Sequence, residues 1–382
     1  MRHHHSTVTP GDIQSRAMGE LSCLLPWVPL GPRCSVDFTL RILWMLATLR
    51  TSLFALCERF GLPYRQTRIR HSLASQLPDP ATLAAAFSHR FRALIPRAPR
   101  KGFVIAIDTH WCCYYGDRST RGIVRGQRKA GTRRFFVYAT AVIVEKGRRY
   151  TLALTAPESN RPLEALRPLL DQIAATGIGV RMLLLDKGFY ATEVFQLLQA
   201  RRLPHIVAVP HRRPHFRRLF HTRDAITYTL RTRHRGGEPR QAVDLHLVRV
   251  TIPNRDGSVA EQVYAHHGLR PRGDLGAVCR RLYKSRFGIE TSYRQLNQAK
   301  ARTTSRDRRW RLLLVGLSLL FRQLWVFLEN AVQERTGERW SPTTTLERLR
   351  AQLASVLTAE LRDRCTLEIH DHDARFLKKT PE

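Results

Sequence analysis

The chain of 382 residues is short of acidic residues and of lysine. It has 31 Asp+Glu against 64 Lys+Arg, which gives a formal net charge of +33, and only eight of the basic residues are lysine. A charge of this size indicates a polyanionic partner, because Arg and Lys contacts to phosphates dominate nucleic-acid affinity. A GC-rich coding sequence would explain the excess of arginine over lysine, but it does not explain the excess of basic over acidic residues.

Paired cysteines and a clear membrane-spanning run are also missing from the sequence. The seven cysteines are an odd number without a Cys-x2-Cys pair, which argues against a disulfide framework and favours a reducing cytoplasm. The N-terminus lacks the apolar core of a signal peptide. The most apolar stretch, residues 312–328, is interrupted by Arg322 and Gln323. A membrane helix needs about 20 mostly apolar residues, so we expect a buried core helix and no membrane association.

Changes in hydrophobic period divide the chain into five predicted segments. Residues 1–98 predict a helical N-terminal DNA-binding region, in which residues 1–35 form a loose arm. Residues 99–210 predict the order strand-strand-strand-helix-strand-helix-strand of a ribonuclease-H-like core. Residues 211–272 predict a basic β-rich insertion, 273–338 a helical second part of the core, and 339–382 a C-terminal helix and tail. The expected fold class is α/β, a mixed sheet flanked by helices.

Three acidic residues lie in settings that suit metal ligands. Asp108 follows the apolar run 103–107 and Asp186 follows the run 182–185, so each is predicted to lie at the end of a buried strand. Glu290 lies in a helical stretch. Phosphodiester chemistry with two metals needs carboxylates that hold two Mg²⁺ ions about 3.5–4 Å apart. Taken singly, a strand-end Asp is more often a cap of the next turn, so the interpretation depends on all three acids together.

The residues around Glu290 leave two interpretations open. At helical spacing, one face of a single helix from Leu275 to about Lys300 carries Tyr283, Arg286, Glu290, Arg294 and Asn297. An acid between two arginines and a tyrosine suits a surface for metal and phosphate, since arginine binds phosphate in a bidentate manner. The alternative is a solvated ladder of i,i+4 ion pairs without catalytic meaning.

The three motifs, in this order, resemble those of bacterial and archaeal insertion-sequence transposases of the DDE type. The chain is most similar to the group with a Tyr-x2-Arg-x3-Glu signature, here Tyr283, Arg286 and Glu290, and its segment 184–190 is similar to the family's second acidic motif. The resemblance covers roughly residues 100–330. It implies a ribonuclease-H-like catalytic domain with a β-rich insertion between Asp186 and Glu290.

The same resemblance implies cofactors and residue roles. Asp108, Asp186 and Glu290 would be the catalytic residues and would hold two Mg²⁺ or Mn²⁺ ions, while Tyr283 and Arg286 would hold DNA phosphates near the scissile bond. Many relatives have a lysine seven residues after the glutamate, where this chain has Asn297. Some relatives have an arginine four residues after it, so Arg294 is the expected third phosphate contact.

Basic clusters in three regions are candidate DNA contacts, with a solubilising surface as the alternative. They are Arg125, Arg128 and Lys129; Arg212, Arg213, Arg217 and Arg218; and Arg302 and Arg306. Trp111 and Phe216 could stack on an unpaired base, although buried packing is the more common role of an aromatic residue. The segment His110–Cys113 matches no common zinc spacing.

These observations predict a transposase that binds the terminal inverted repeats of an insertion sequence and catalyses DNA cleavage and strand transfer. Its partner would be double-stranded DNA, bound by a homodimer that pairs two ends, in the nucleoid-containing cytoplasm of a bacterium or archaeon. One alternative is an inactive or domesticated DNA-binding protein derived from a transposase. Another is a basic RNA-binding protein, for which the three acidic motifs would be a coincidence.

Overall fold

The computed structural model describes residues 9–24, 35–62, 64–95, 101–145, 149–210, 219–220, 223–232, 241–253, 256, 258–269, 273–336 and 345–364. The chain forms two compact units. One comprises Met1–Leu77, Gln298–Phe321 and Ser341–Glu382, and the other comprises Pro78–Asn297 and Arg322–Trp340. The second unit contains all three acidic motifs.

The first unit is helical. Its N-terminal helices are α1 (Pro10–Ser22), α2 (Val36–Thr48), α3 (Leu53–Phe60) and α4 (Gln66–Gln76). The prediction of a loose arm was wrong for residues 10–22, because Thr9 and Asp12 form a capping box at the start of α1. Trp44 fixes α1 against α2, since its indole Nε1 donates to the carbonyl of Ala17 at 3.0 Å.

A nine-stranded mixed sheet forms the centre of the second unit. Its strands are β1 (Phe103–Cys113), β2 (Val124–Lys129), β3 (Thr132–Ile143), β4 (Thr151–Thr155), β5 (Val180–Leu185), β6 (His205–Ala208), β7 (Ala225–Arg231), β8 (Ala242–Pro253) and β9 (Val259–His267). They are ordered β2-β3-β1-β5-β6-β9-β8-β7, with β4 also paired to β3. Helices α5 (Pro80–Ala93), α6 (Pro162–Ala175) and α7 (Thr192–Ala200) belong to the same unit.

Parallel pairing of β1 with β5 and of β5 with β6 explains the continuous apolar runs of these strands. Phe103–Ile107, Leu183–Leu185 and Ile206–Val207 are almost fully buried, as expected for parallel strands covered on both faces. The mixed sheet with its helices agrees with the α/β class predicted from the sequence. Strand β2 was not predicted, because its sequence, Val-Arg-Gly-Gln-Arg-Lys, is mostly polar.

The basic insertion is β-rich, as predicted, and it is continuous with the core sheet. Strand β9 pairs antiparallel with β6 through His205↔His267 to Ala208↔Tyr264, and β8 and β7 follow it outward. Buried side chains of the insertion, including Leu230, Leu245 and Leu247, belong to the same hydrophobic core as Ile105 and Leu185. The insertion therefore extends the core sheet and shares its hydrophobic core.

The helical stretch around Glu290 is two helices, not one. Helix α8 (Leu275–Lys284) ends at Ser285, whose hydroxyl donates to Leu282 O, and α9 (Phe287–Ala299) then begins. Gly288 allows α9 to approach the sheet closely, because a Cβ at this position would lie 3.2 Å from a methyl group of Val144. The break places Glu290 in the first turn of α9, where the helix dipole favours a negative charge.

Helix α10 (Arg308–Thr336) contains the apolar run, and α11 (Leu346–Arg364) follows it. Within the described part of the chain, Arg308–Asn330 is the one helix long and apolar enough to cross a membrane, and 78% of its most apolar window is buried. Arg322 and Gln323, which interrupt the run, are fully buried. Arg322 donates to Gln295 Oε1 on α9 and to the carbonyl of Arg149. These polar contacts agree with a core helix.

Gln323→Leu should lower the free energy of unfolding by about 3 kcal/mol. The Gln323 amide accepts from Thr151 N at 2.8 Å and donates to Thr151 O and Phe91 O at 3.1 Å. Leucine would leave these buried backbone groups without their partner. Urea denaturation measures the loss, with Gln298→Leu, on the exposed side of α9, as the control that should change stability by less than about 0.5 kcal/mol. Equal effects of the two substitutions would contradict this account.

Candidate active site

Asp108 and Asp186 lie side by side at the point where β1 and β5 cease to pair. The last paired residues are Ile107 and Leu185, so each acid directly follows its strand's final parallel contact. Asp186 follows the end of β5, as predicted. Asp108 does not end its strand, however, because β1 continues to Cys113 against β3. The expectation of a strand end at Asp108 was therefore wrong, and the acid instead lies where β1 loses one of its two neighbours.

The Asp108 carboxylate is held in a largely buried position. Its side chain is 15% exposed. Oδ1 accepts from the Thr109 backbone N–H at 2.7 Å, and Oδ2 accepts from the Arg286 guanidinium at 3.2 Å. Burial first, and then the nearby charge of Asp186, raise the pKa of Asp108 to about 6, against the opposing effects of Thr109 and Arg286. The site therefore lacks positive charge for its carboxylates.

Arg286 links the first acid to the third. Its guanidinium donates to Glu290 Oε1 at 2.9 Å as well as to Asp108, and its side chain is 10% exposed. Its Nε has no hydrogen-bond partner among the described residues. One i,i+4 pair of the alternative ladder is thus present, but Arg294 donates to Thr291 Oγ1 and does not complete it. A three-membered surface ladder is not formed.

Asp186 also accepts a local hydrogen bond, since Oδ1 caps the short 3₁₀ turn Lys187–Phe189 through Gly188 N. The capping role considered for a strand-end Asp is therefore real here. The same carboxylate acts electrostatically on Asp108. A local cap and a place in the acidic site occur together in this residue.

Two tyrosine hydroxyls hold the backbone next to the two Asp residues. Tyr283, on α8, is buried and donates to Leu185 O at 3.2 Å, directly before Asp186. Tyr293, on α9, donates to Asp108 O at 2.7 Å and also bonds with the Thr140 hydroxyl at 2.9 Å. Burial raises the pKa of both phenols well above the usual value, so both remain proton donors.

Tyr293 was missed from the sequence. It lies three residues after Glu290, at a position that resembles an ordinary core residue of an amphipathic helix. Only its hydrogen bond to Asp108 O distinguishes it, and this bond exists only in the folded structure.

Basic residues from β2 and α9 share one groove with Glu290. The groove has a volume of about 740 Å³ and is lined by Thr109, His110, Trp111, Arg125, Gly126, Gln127, Arg128, Lys129, Phe135, Asn160, Glu290, Tyr293, Arg294 and Asn297. Arg125, Arg128, Lys129 and Arg294, all named from the sequence, are thus brought together beside the third acid. Asn297, the departure from the family pattern, lines the same groove.

The remaining predicted contacts fall into two groups. Arg302 and Arg306 are exposed in the connection before α10, which belongs to the other unit. Arg212, Arg213, Arg217 and Arg218, together with Phe216, lie outside the described residues.

The acids do not form a complete metal-ligand group as they stand. Across the described parts of the chain, no three His, Cys, Asp or Glu side chains converge closely enough to hold one ion. Arg286 instead bridges Asp108 and Glu290. The donor chemistry of the neighbouring pair Asp108 and Asp186 nevertheless fits a divalent cation, because carboxylate oxygens are the preferred ligands of Mg²⁺ and their mutual repulsion would be relieved by a cation.

Comparison with known proteins identifies the family. The family model described as "Transposase DDE domain" matches residues 114–320, so it includes Asp186 and Glu290 and begins shortly after Asp108. The match covers more than half of the chain, and the chain therefore belongs to this transposase family. Membership of the subgroup with the Tyr-x2-Arg-x3-Glu signature stays a prediction.

A solved structure has the same fold. The cryo-EM structure of a piggyBac transposase synaptic complex with hairpin DNA matches with a TM-score of 0.60 and 9% sequence identity, over 100% of this chain and 87% of that chain. The likeness concerns the fold and confirms the predicted ribonuclease-H-like α/β class. No curated protein matches the chain in sequence.

Asp108→Asn should stabilise the metal-free protein at neutral pH. The folded-state pKa of about 6 lies above the ordinary value of 3.8, so the folded protein binds the proton more tightly than the unfolded chain. Stability should fall as pH rises between these values, by about 2 kcal/mol. The variant should lack this fall and exceed the parent at pH 7, as measured by urea denaturation in EDTA from pH 4 to 7.

Two matched variants separate the causes of this effect. Asp186→Asn should reduce the fall only in part, because burial contributes more than the Asp186 charge. Asp171→Asn, at an exposed carboxylate of α6, should keep the parent's pH dependence. A parental pH profile for Asp108→Asn would show that the buried carboxyl is not the origin.

Proposed function

We propose that this protein is a transposase that binds the terminal inverted repeats of an insertion sequence and catalyses metal-dependent cleavage and strand transfer of DNA. The observation that supports this most strongly is the meeting of Asp108, Asp186 and the Arg286–Glu290 pair at one end of the β1–β5 ladder. Membership of the DDE transposase family supports the assignment of DNA cleavage and strand transfer to this arrangement.

The proposed catalytic residues are Asp108, Asp186 and Glu290, which would hold two Mg²⁺ or Mn²⁺ ions. When bound, such ions stabilise charge on the attacking and leaving oxygens of a phosphodiester. Glu290 can join the pair once Arg286 releases its carboxylate, since its side chain is 47% exposed and lies on the first turn of α9. Water would attack a phosphodiester at the element's end and free a 3′-hydroxyl. This hydroxyl would then attack another phosphodiester. No covalent intermediate with the protein would form.

Arg286 and Arg294 are the proposed phosphate ligands. A guanidinium binds phosphate with the same two-point geometry that it uses for carboxylate, so Arg286 can exchange Glu290 for a DNA phosphate without leaving its place beside Asp108. Tyr283 could take the phosphate-binding role implied by the resemblance only if its hydroxyl leaves Leu185 O. Its present contact supports a role in fixing the strand end before Asp186.

The proposed partner is double-stranded DNA, both at the element's ends and at the target, in the nucleoid of a bacterial or archaeal cell. The N-terminal helical region, residues 1–98, and the basic insertion, residues 211–272, would contribute to end binding. Pairing of two ends would require a homodimer in the DNA complex.

Substitution of each acid should abolish cleavage and preserve binding. Asp108→Asn, Asp186→Asn and Glu290→Gln should each lower the rate of end cleavage by at least about 10³-fold, because the charge that holds the ions is lost. The assay uses labelled DNA from both flanks of the gene with Mg²⁺ or Mn²⁺, and a parallel gel-shift measurement in Ca²⁺. Asp171→Asn is the matched control and should cleave like the parent.

The same assay separates the proposed enzyme from an inactive, transposase-derived DNA-binding protein. Specific binding without cleavage by the parent would favour the inactive alternative. Cleavage that survives Asp108→Asn would remove the acids from the mechanism.

DNA binding should depend on the basic side chains of β2. Removing two phosphate contacts by Arg125→Gln with Arg128→Gln should reduce the slope of log K against log salt by about 1.8. Fluorescence anisotropy of a random-sequence 30-base-pair duplex between about 0.05 and 0.3 M salt measures this slope. Arg167→Gln with Arg181→Gln is the control of equal charge, because Arg181 is the second residue of β5, at the end opposite Asp186. An equal loss of slope in both pairs would indicate general charge attraction alone.

A further inference from the structure

The buried arginine of α10 has no role in the chemistry proposed above. Arg322 is fully buried, and its Nη1 has no hydrogen-bond partner among the described residues. Burial first, and then the nearby charge of Arg149, lower the pKa of Arg322 to about 9, against the opposing effect of Glu329. Replacing a buried charged group by an apolar one of similar volume is often neutral or stabilising. A contribution to stability therefore does not explain an arginine at this position.

The hydrogen bonds of Arg322 join two elements of the catalytic unit. Its Nε donates to Gln295 Oε1 at 2.8 Å, and its Nη2 donates to the carbonyl of Arg149 at 2.7 Å. Gln295 lies on α9, and Arg149 lies in the connection between β3 and β4. A guanidinium presents its donors in a rigid planar fork. One rigid group therefore defines where α9 lies relative to this connection.

The same connection contacts the start of α9. A Cβ at Gly288 would lie 3.2 Å from a methyl group of Val144 and 3.4 Å from Nε of Arg149. The Val144 N–H donates to the carbonyl of Val104 on β1 at 3.0 Å. The first turn of α9 therefore lies against residues that are attached to β1, the strand that carries Asp108.

These contacts lie on one face of α9, and Glu290 lies on the other. An α-helix turns by about 100° per residue. Gly288 and Gln295 are seven residues apart, so they lie within about 20° of each other around the helix axis. Glu290 lies about 160° from Gly288. The helix is thus held on the face opposite Glu290, at one position before this residue and at one position after it.

We propose that Arg322 is a positioning residue for Glu290. By holding Gln295 and the carbonyl of Arg149, its guanidinium fixes the rotation of α9 and so keeps Glu290 beside Asp108. The inference rests on the proposed function, in which Glu290 joins the two Asp residues as a metal ligand. Because Arg322 is fully buried, it acts only through α9. A displacement of about 1 Å at a catalytic group can lower a rate by about 100-fold.

The first test separates cleavage from DNA binding. Arg322→Met should lower the single-turnover rate of end cleavage in Mg²⁺ by about 100-fold and leave the affinity for the same DNA in Ca²⁺ unchanged. Arg322→Lys keeps the charge without the planar fork and should recover part of the rate. Gln323→Leu is the matched control, because this neighbouring buried amide bonds with Thr151 and Phe91. Its rate per folded molecule should equal that of the parent, despite its predicted loss of stability.

A double variant separates positioning from stability. Arg322→Met alone leaves the Gln295 amide without its partner, whereas Arg322→Met with Gln295→Met replaces the pair by apolar side chains. Because such replacements are often neutral or stabilising, the double variant should melt at or above the temperature of the single variant. Its cleavage should nevertheless stay about 100-fold below that of the parent. Recovery of both stability and cleavage would show that Arg322 serves the fold alone.

Binding of Mn²⁺ gives a measurement without DNA. Electron paramagnetic resonance of the free ion determines the affinity of the parent and of each variant at neutral pH. Arg322→Met should weaken binding by about 10-fold, as is found for groups that orient a metal ligand. In a protein that already carries Glu290→Gln, it should cause no further loss, because Arg322 acts through Glu290. Additive losses would overturn the positioning role.

Failure of this inference is distinguishable from failure of the proposed function. If the parent cleaves DNA and binds Mn²⁺, and Arg322→Met equals it in both, the positioning role is overturned and the proposed function is retained. If the parent neither cleaves nor binds Mn²⁺, the proposed function is overturned, and the role of Arg322 falls with it.

Discussion

The parallel register between β1 and β5 determines where the two proposed catalytic aspartates meet. Pairing stops at Ile107 and Leu185, and the next residue on each strand is an aspartate. Neighbouring strands are about 4.8 Å apart, so the two carboxylates cannot avoid one another. Residues 103–107 and 182–185 are buried, and a one-residue slip in register would move each of their apolar side chains to the opposite face of the sheet, out of its packed position. The hydrophobic core therefore keeps the Asp108 and Asp186 carboxylates close together despite their electrostatic repulsion, which other groups of the site must compensate.

In the isolated chain, the guanidinium of Arg286 partly compensates this repulsion. It supplies one positive charge to Asp108 and Glu290, but the pKa of Asp108 remains raised to about 6, so the compensation is incomplete. Tyr283 and Tyr293 hold the two strand backbones in place through neutral hydrogen bonds, which add no charge to the site. Rigid carboxylates with too little positive charge are the physical condition for binding cations from solution, and the same condition explains why the guanidinium lies between the acids.

Much of the architecture follows from local pattern, and the site's finer geometry does not. Apolar runs and their periods were sufficient to predict the core strands, α6, α7 and the β-rich insertion, because the burial of these elements produces a pattern in consecutive residues. The break at Ser285 was missed because both sides of it are helical in pattern. Strand β2 was missed because its sequence is mostly polar. Two features depend on contacts between residues distant in sequence: the extension of β1 beyond Asp108 and the hydrogen bond from Tyr293 to Asp108 O. A local sequence pattern does not show such contacts.

The continuity of β6 with β9 has a consequence for how such a chain can change over evolutionary time. An insertion joined only by its two ends could be removed or exchanged as a module. Here its removal would strip β6 of its antiparallel neighbour and leave a row of unpaired backbone groups in a short, apolar strand, which is a template for aggregation. Shortening is therefore tolerated from the outer strand β7 inward, and β9 is the last part that the fold can lose.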